Sequence, residues 1–137
     1  MVESFNPPGL WVPFGPFSMA ALQGDGQILH LKGQVALDAE GEIVGRGDMR
    51  AQVRKALENI RAVLRAFGGE MRDILALSHY VTDIEAFLKT GDIRREFFTD
   101  PYPVTTTLGV AALYHPDLYV EITALAEVPR DRFRRPI

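Results

Sequence analysis

The pattern of apolar and polar positions divides the chain into strands and helices. The sharpest run lies near the C-terminus. There Leu118, Val120, Ile122, Ala124, Ala126 and Val128 alternate with Tyr119, Glu121, Thr123, Leu125 and Glu127, the period of a strand with one face on a core. Asp48 to Phe67 has the helical period instead: Met49, Val53, Ala56, Leu57, Ile60, Val63, Leu64 and Phe67 form its stripe. Asp48 suits its N-cap and Gly68-Gly69 its stop. Arg50, Arg54, Lys55, Arg61 and Arg65 fall mostly off the stripe and read as a solvated face rather than a phosphate-binding row. Ile74 to Thr82 has bulk on both sides of its alternation, as a central strand covered on each face would. Asp83 is placed to cap a second helix ending at Phe97-Phe98, with Gly91 a weak point inside it. Phe17–Leu22 and Gln27–Val35 read as strands joined by hairpin chemistry at Gly24-Asp25-Gly26. In the second of these, Ile28, His30 and Lys32 share one face and Leu29 and Leu31 the other. Thr105 to Val110 is a β-branched strand that opens after a proline.

The order β-β-α-β-α-β-β predicts an α+β domain: a mixed sheet with two helices packed on one face. At 137 residues the chain is read as a single domain, residues 1–137. Residues 1–16 form an apolar N-terminal arm rich in proline and glycine, too apolar for a disordered tail. Trp11, Phe14 and Phe17 are expected to bury against the domain or a neighbouring subunit. Residues 130–137 form a basic tail, expected to be solvated or to dock on an acidic neighbour.

Composition narrows the function classes. Hydrophobic residues make up 47% and charged residues 24%, ordinary for a globular protein, and no run of 18 apolar residues suggests a membrane span. A net charge of −3 argues against a general nucleic-acid binder. There are no cysteines, which removes thiol chemistry and sulfur ligands. With no signal segment apparent, the expected location is cytoplasmic. His30, His79 and His115 stand in no paired ligand spacing and read as structural; no metal and no cofactor is expected. What remains is Glu121. A carboxylate in mid-strand between Tyr119 and Thr123 is a candidate acid/base or water-orienting group.

Several motifs occur together in a fixed order: the GQVALD run at Gly33–Asp38, a helix with Gln52 and Asn59 seven residues apart, Tyr80-Val81-Thr82-Asp83, Phe97-Phe98, Pro103-Val104-Thr105-Thr106, and Val120-Glu121-Ile122. In this order the chain resembles the Rid family (reactive intermediate deaminases, or YjgF proteins) from about Asn6 to about Pro129. The resemblance implies a homotrimer whose sheets form a central barrel, with small-molecule clefts between subunits and no cofactor. In family members that hydrolyse imines and enamines, an arginine in the P-x-R-T run holds the substrate carboxylate, and a bidentate guanidinium suits that task. Thr105 occupies the matching position here. The family glutamate matches Glu121; with the backbone near Thr107 it would position water. Lys32 stands where the family has the serine of SGQ, beside Gly33, and Phe17 where it has an aromatic residue before serine. The resemblance therefore implies a divergent deaminase-type hydrolase without the standard 2-aminoacrylate reaction. Lys32, Arg94 or Arg95 are the candidates to replace the missing cation, unless the substrate is neutral. The alternative is a non-catalytic, trimeric small-molecule-binding or regulatory protein. Ribonuclease activity, also ascribed to this family, is disfavoured by the acidic balance and the lack of paired histidines.

Overall fold

The computed structural model describes residues 1–137. Its frame is a four-stranded sheet in the order β3 (Gln27–Gln34), β6 (Val120–Val128), β4 (Ile74–Val81), β5 (Val104–Gly109). β6 is antiparallel to both neighbours, and β4 and β5 are parallel, so the sheet is mixed. Helices α1 (Met49–Ala66), α2 (Ile84–Leu88) and α3 (Gly91–Phe97) accompany it. The predicted α+β architecture is the observed one. The inward set of β6, from Val120 to Val128 by alternate residues, is buried, and Val120, Ile122, Ala124 and Ala126 meet Val53, Leu57, Ile60 and Leu64 of α1 in one core.

The Gln52 and Asn59 pair of the helix motif has a structural cause. Gln52 is fully buried. Its amide donates to Gly45 O and Asp117 O, while its oxygen accepts from Tyr119 N at 2.9 Å. Asn59, two turns on, donates to Val35 O and Leu37 O. The helix is thus tied to the chain entering β6 and to the chain leaving β3, satisfying backbone groups that no strand pairs.

Several expectations need correction. The second helix is two helices: the Thr90 hydroxyl donates to Phe87 O at 2.6 Å and closes α2, and Gly91 opens α3 rather than interrupting a longer helix. The first predicted strand is cut to β2 (Ala20–Leu22), which pairs with β1 (Glu3–Phe5) of the arm and forms no hairpin with β3. Upstream of it, Ser18 N donates to Pro103 O at 2.9 Å and bridges to Val104 at the start of β5. The basic side of α1 is not simply solvated. Arg50 pairs with Asp92 (2.7 Å) and Arg54 with Glu96, both one turn apart on α3. Nor is the basic tail loose: Arg132 makes a bidentate pair with buried Asp73 at 2.7 and 2.9 Å, and Phe133 stacks on Phe67. Finally, helices cover only one face of the sheet. On the other, Ala76, Ser78 and Tyr80 of β4 and Glu121, Thr123 and Leu125 of β6 stay half-buried, and Leu108 of β5 is 50% exposed.

Candidate functional site

Strand order decides which candidate residues meet. β3 and β5 are the two edges of the sheet, three strand spacings or about 14 Å apart. Register decides the face. His79 lies beside Thr107 and Ile122, so Thr107, and Thr105 two residues before it, face the helices; Tyr80 lies beside Glu121 and Leu108, which face away.

The helix-side group forms a cleft of about 400 Å³ at the β5 edge. Thr105 and Thr107 contribute from β5, Arg94 and Arg95 from α3, and Trp11, Phe14 and Phe17 from the arm. The bond from Ser18 to Pro103 brings Phe17 there. The three rings touch one another, with centroids 5.4 to 5.8 Å apart. Trp11 is 58% and Phe14 80% exposed, so the domain itself does not bury them, and a neighbouring subunit is left as the expected cover.

Arg94 is the unusual member. Only 8% of it is exposed, yet none of the chain's ion pairs includes it and its Nε has no hydrogen-bond partner. Its guanidinium lies 4.6 Å from the centre of the Phe87 ring, a contact that offsets part of the desolvation of a cation. Burial, with the charge of Arg95 beside it, holds its pKa below the usual arginine value. A buried cation without a counterion, lining a cleft, is a ready donor to a carboxylate.

His79 supports the same cleft from beneath. It is fully buried, 4.7 Å from the Phe87 ring, and its Nδ1 lies 2.9 Å from Thr107 Oγ1. Burial, with the Arg94 charge adding to it, pushes the imidazole pKa down to about 3, so it is neutral near pH 7. Its Nε2 is buried without a partner. An orphaned N–H there costs more than an orphaned lone pair, and on that ground the proton is assigned to Nδ1. Nδ1–H then donates to Thr107 Oγ1, and the threonine's own hydroxyl proton is left for a ligand. Sequence reasoning set His79 aside with the other histidines. Its pairing with Thr107 depends on the register of β4 against β5.

The second group is on the other face, toward the β3 edge. The Glu121 carboxylate lies against Gly33, where a Cβ would fall 3.0 Å from its carboxyl carbon and closer still to one oxygen. The glycine is what leaves room for it. Lys32 beside it is exposed. Phe17, Arg94, Thr105 and Thr107 therefore meet in one place and Lys32, Gly33 and Glu121 in another, and a single chain does not unite them. A further cleft of about 620 Å³, between the arm, the turn at Met71–Asp73 and the end of α3, includes none of these residues, and the matched Asp73–Arg132 pair lines it. No group of three or more histidine or acidic residues is placed to hold a metal ion, and no helix is long and apolar enough to cross a membrane.

Comparison with known proteins places this arrangement. A RutC family protein of Pyrococcus horikoshii is 36% identical over 115 residues, 83% of this chain and 88% of its own. A 2-iminobutanoate/2-iminopropanoate deaminase of Dermatophagoides farinae is 31% identical over 101 residues, 74% of this chain and 77% of its own. Among solved structures, a Rid family protein of unknown function from Yersinia pestis superposes with a TM-score of 0.85 at 34% identity, covering 93% of this chain and 98% of that one. A RidA from an Antarctic Psychrobacter gives 0.68 at 26%, covering 92% and 99%. The sequence profile described as endoribonuclease L-PSP matches residues 11–128. The chain belongs to that family, the Rid (YjgF) proteins.

Proposed function

We propose that this protein hydrolyses a small imine or enamine that carries an anionic group, with Arg94 as the anion anchor and Glu121 positioning water. The observation that carries the reading is the buried, uncompensated guanidinium of Arg94 in the same cleft as Thr105 and Thr107. Thr105 lacks the cation that holds 2-aminoacrylate in other family members, so the preferred reaction is not that standard one. The anchor has moved from β5 to α3, and the acids that fit have moved with it. Thr107, oriented by His79, supplies a second donor to the anion.

Because Glu121 and Arg94 stand on opposite faces, the active unit is an assembly. In a homotrimer, the β5 edge of one subunit meets the β3 edge of the next, and the open faces of the sheets cover one another. Water adds to the imine carbon. The carbinolamine then breaks its C–N bond, forms the carbonyl and releases ammonia. Imine and water balance carbonyl compound and ammonia, with no redox partner.

The test is ammonia release from a panel of imines generated from amino acids, comparing the native protein with Glu121→Gln. A fall in kcat of roughly 10²- to 10⁴-fold with ligand binding retained supports the assignment; an unchanged kcat removes Glu121 from the mechanism. The separation of the two groups within one chain also favours a second reading, a non-catalytic binding protein. Its signature is tight ligand binding with no ammonia released from any imine in the panel.

A further inference from the structure

Resting on the reading of Arg94 as an anion anchor, we infer that the acid bound in this cleft bears an aromatic side chain, so that the substrate class is an aryl- or heteroaryl-substituted imino or enamino acid. The cleft has two chemically distinct parts. One is cationic: Arg94 is buried without a counterion, and Arg95 beside it is in no ion pair either. The other is built from Trp11, Phe14 and Phe17, whose rings are in mutual contact yet leave Trp11 58% and Phe14 80% exposed. An aromatic wall beside an unmatched cation, in a cleft that the neighbouring subunit completes, suits an occupant that is both planar-apolar and anionic. Within one chain the cleft measures about 400 Å³, in the range of small-molecule pockets, before the neighbouring subunit closes it.

Phe14 and Phe17 are near-perpendicular, at 82°, while Trp11 and Phe14 are close to parallel, at 27°. A third aromatic group added to such a cluster meets both a ring face and ring edges, the two arrangements that aromatic pairs prefer. A short aliphatic side chain uses neither. The carboxylate meanwhile reaches Arg94 and the hydroxyl of Thr107 in the same cleft.

The chain's only tryptophan is in this wall, so its fluorescence reports occupancy directly. The full-length protein is titrated with 3-phenyllactate and with lactate, stable acids that differ by the ring alone, and the titration is repeated on Arg94→Met and Phe14→Ala. The expected result is tighter binding of 3-phenyllactate, on the order of 10- to 100-fold. Arg94→Met weakens binding of 3-phenyllactate at least tenfold, and Phe14→Ala narrows the gap between the two acids. Phe14 lies outside the core of the chain, and light scattering and calorimetric unfolding check that its truncation leaves the subunit and its assembly intact. Equal binding of the two acids overturns the aromatic preference while leaving the anion anchor standing, provided Arg94→Met still weakens both. Affinity for 3-phenyllactate that Arg94→Met does not change overturns the anchor itself. Absence of binding by either acid, followed by calorimetry as well as fluorescence, overturns the inference.

Discussion

Replacing Arg94 with methionine is expected to make the ligand-free protein more stable while abolishing anion binding. In the native chain the guanidinium is 8% exposed, has no carboxylate partner and leaves Nε unbonded. Desolvating an unpaired ion costs several kcal/mol even after relaxation. The Phe87 ring at 4.6 Å returns about 1 to 2 kcal/mol of that. Methionine has nearly the same reach, keeps contact with the ring and needs no counterion. The net gain should be about 1 to 2 kcal/mol. For a chain of this length each kcal/mol moves Tm by about 3 to 5 °C, so Tm should rise by about 3 to 10 °C. The assay is calorimetric unfolding of both proteins at one fixed concentration, since self-association shifts Tm by mass action. It is then repeated with 3-phenyllactate, which should raise Tm of the native protein only. A Tm that drops by several degrees in Arg94→Met would refute the reasoning. It would mean that the cation is held by compensating interactions and serves the fold rather than a ligand.

Three further outcomes follow from the geometry. Gly33→Ala places a methyl group against the end of the flexible Glu121 side chain, so stability should change by less than about 1 kcal/mol while turnover falls at least tenfold as the carboxylate is displaced; denaturant titration and ammonia release read the two effects separately. His79 has a folded pKa of about 3 against 6.5 for the free group. The unfolded chain therefore takes a proton that the folded chain refuses, and stability should fall by roughly 1.4 kcal/mol per pH unit as pH drops from about 6.5 toward 3. His79→Asn keeps a partner for Thr107 and does not titrate, so urea unfolding across that range should show a flatter slope, and an unchanged slope would show that His79 is not its source. Sedimentation or light scattering at micromolar concentration should return the mass of a trimer; a monomer would leave Glu121 with no route to the Arg94 cleft.

The parts of the fold that were legible in the sequence are those set by local periodicity. β6 could be read residue by residue because one of its faces meets a core and the other does not. α1 was readable from its stripe and from Asp48, whose side chain accepts from Ala51 N as a cap should. What was not legible depends on pairings distant in sequence. Gly24-Asp25-Gly26 is good turn chemistry, yet β2 finds its partner in the arm, where Phe5 pairs with Ala20 and Glu3 with Leu22, which no local signal announces. The basic residues of α1 read as solvated because Asp92 and Glu96 come from another helix. The grouping of the candidate residues was not legible. Phe17, Arg94, Thr105 and Thr107 share a cleft while Lys32, Gly33 and Glu121 lie on the other face, and the burial of Arg94 without a counterion arises from tertiary packing alone. Trp11 and Phe14 read as residues that bury against the domain or a neighbouring subunit, since an aromatic cluster looks the same in sequence whether it fills a core, an interface or a cleft.

The placement of β3 and β5 at opposite edges of the sheet has a consequence for inheritance. Under the assembly proposed above, each reactive centre draws Arg94 from one subunit and Glu121 from another, so the two defects can be carried on separate copies. Arg94→Met and Glu121→Gln chains, each inactive alone, should complement when refolded together or produced in one cell: among randomly mixed trimers about a quarter of the centres receive both intact residues. A chain carrying both substitutions should rescue neither. Two null alleles would then behave in combination as a partial wild type, and recessive lesions would fall into complementation groups defined by the edge of the sheet they damage.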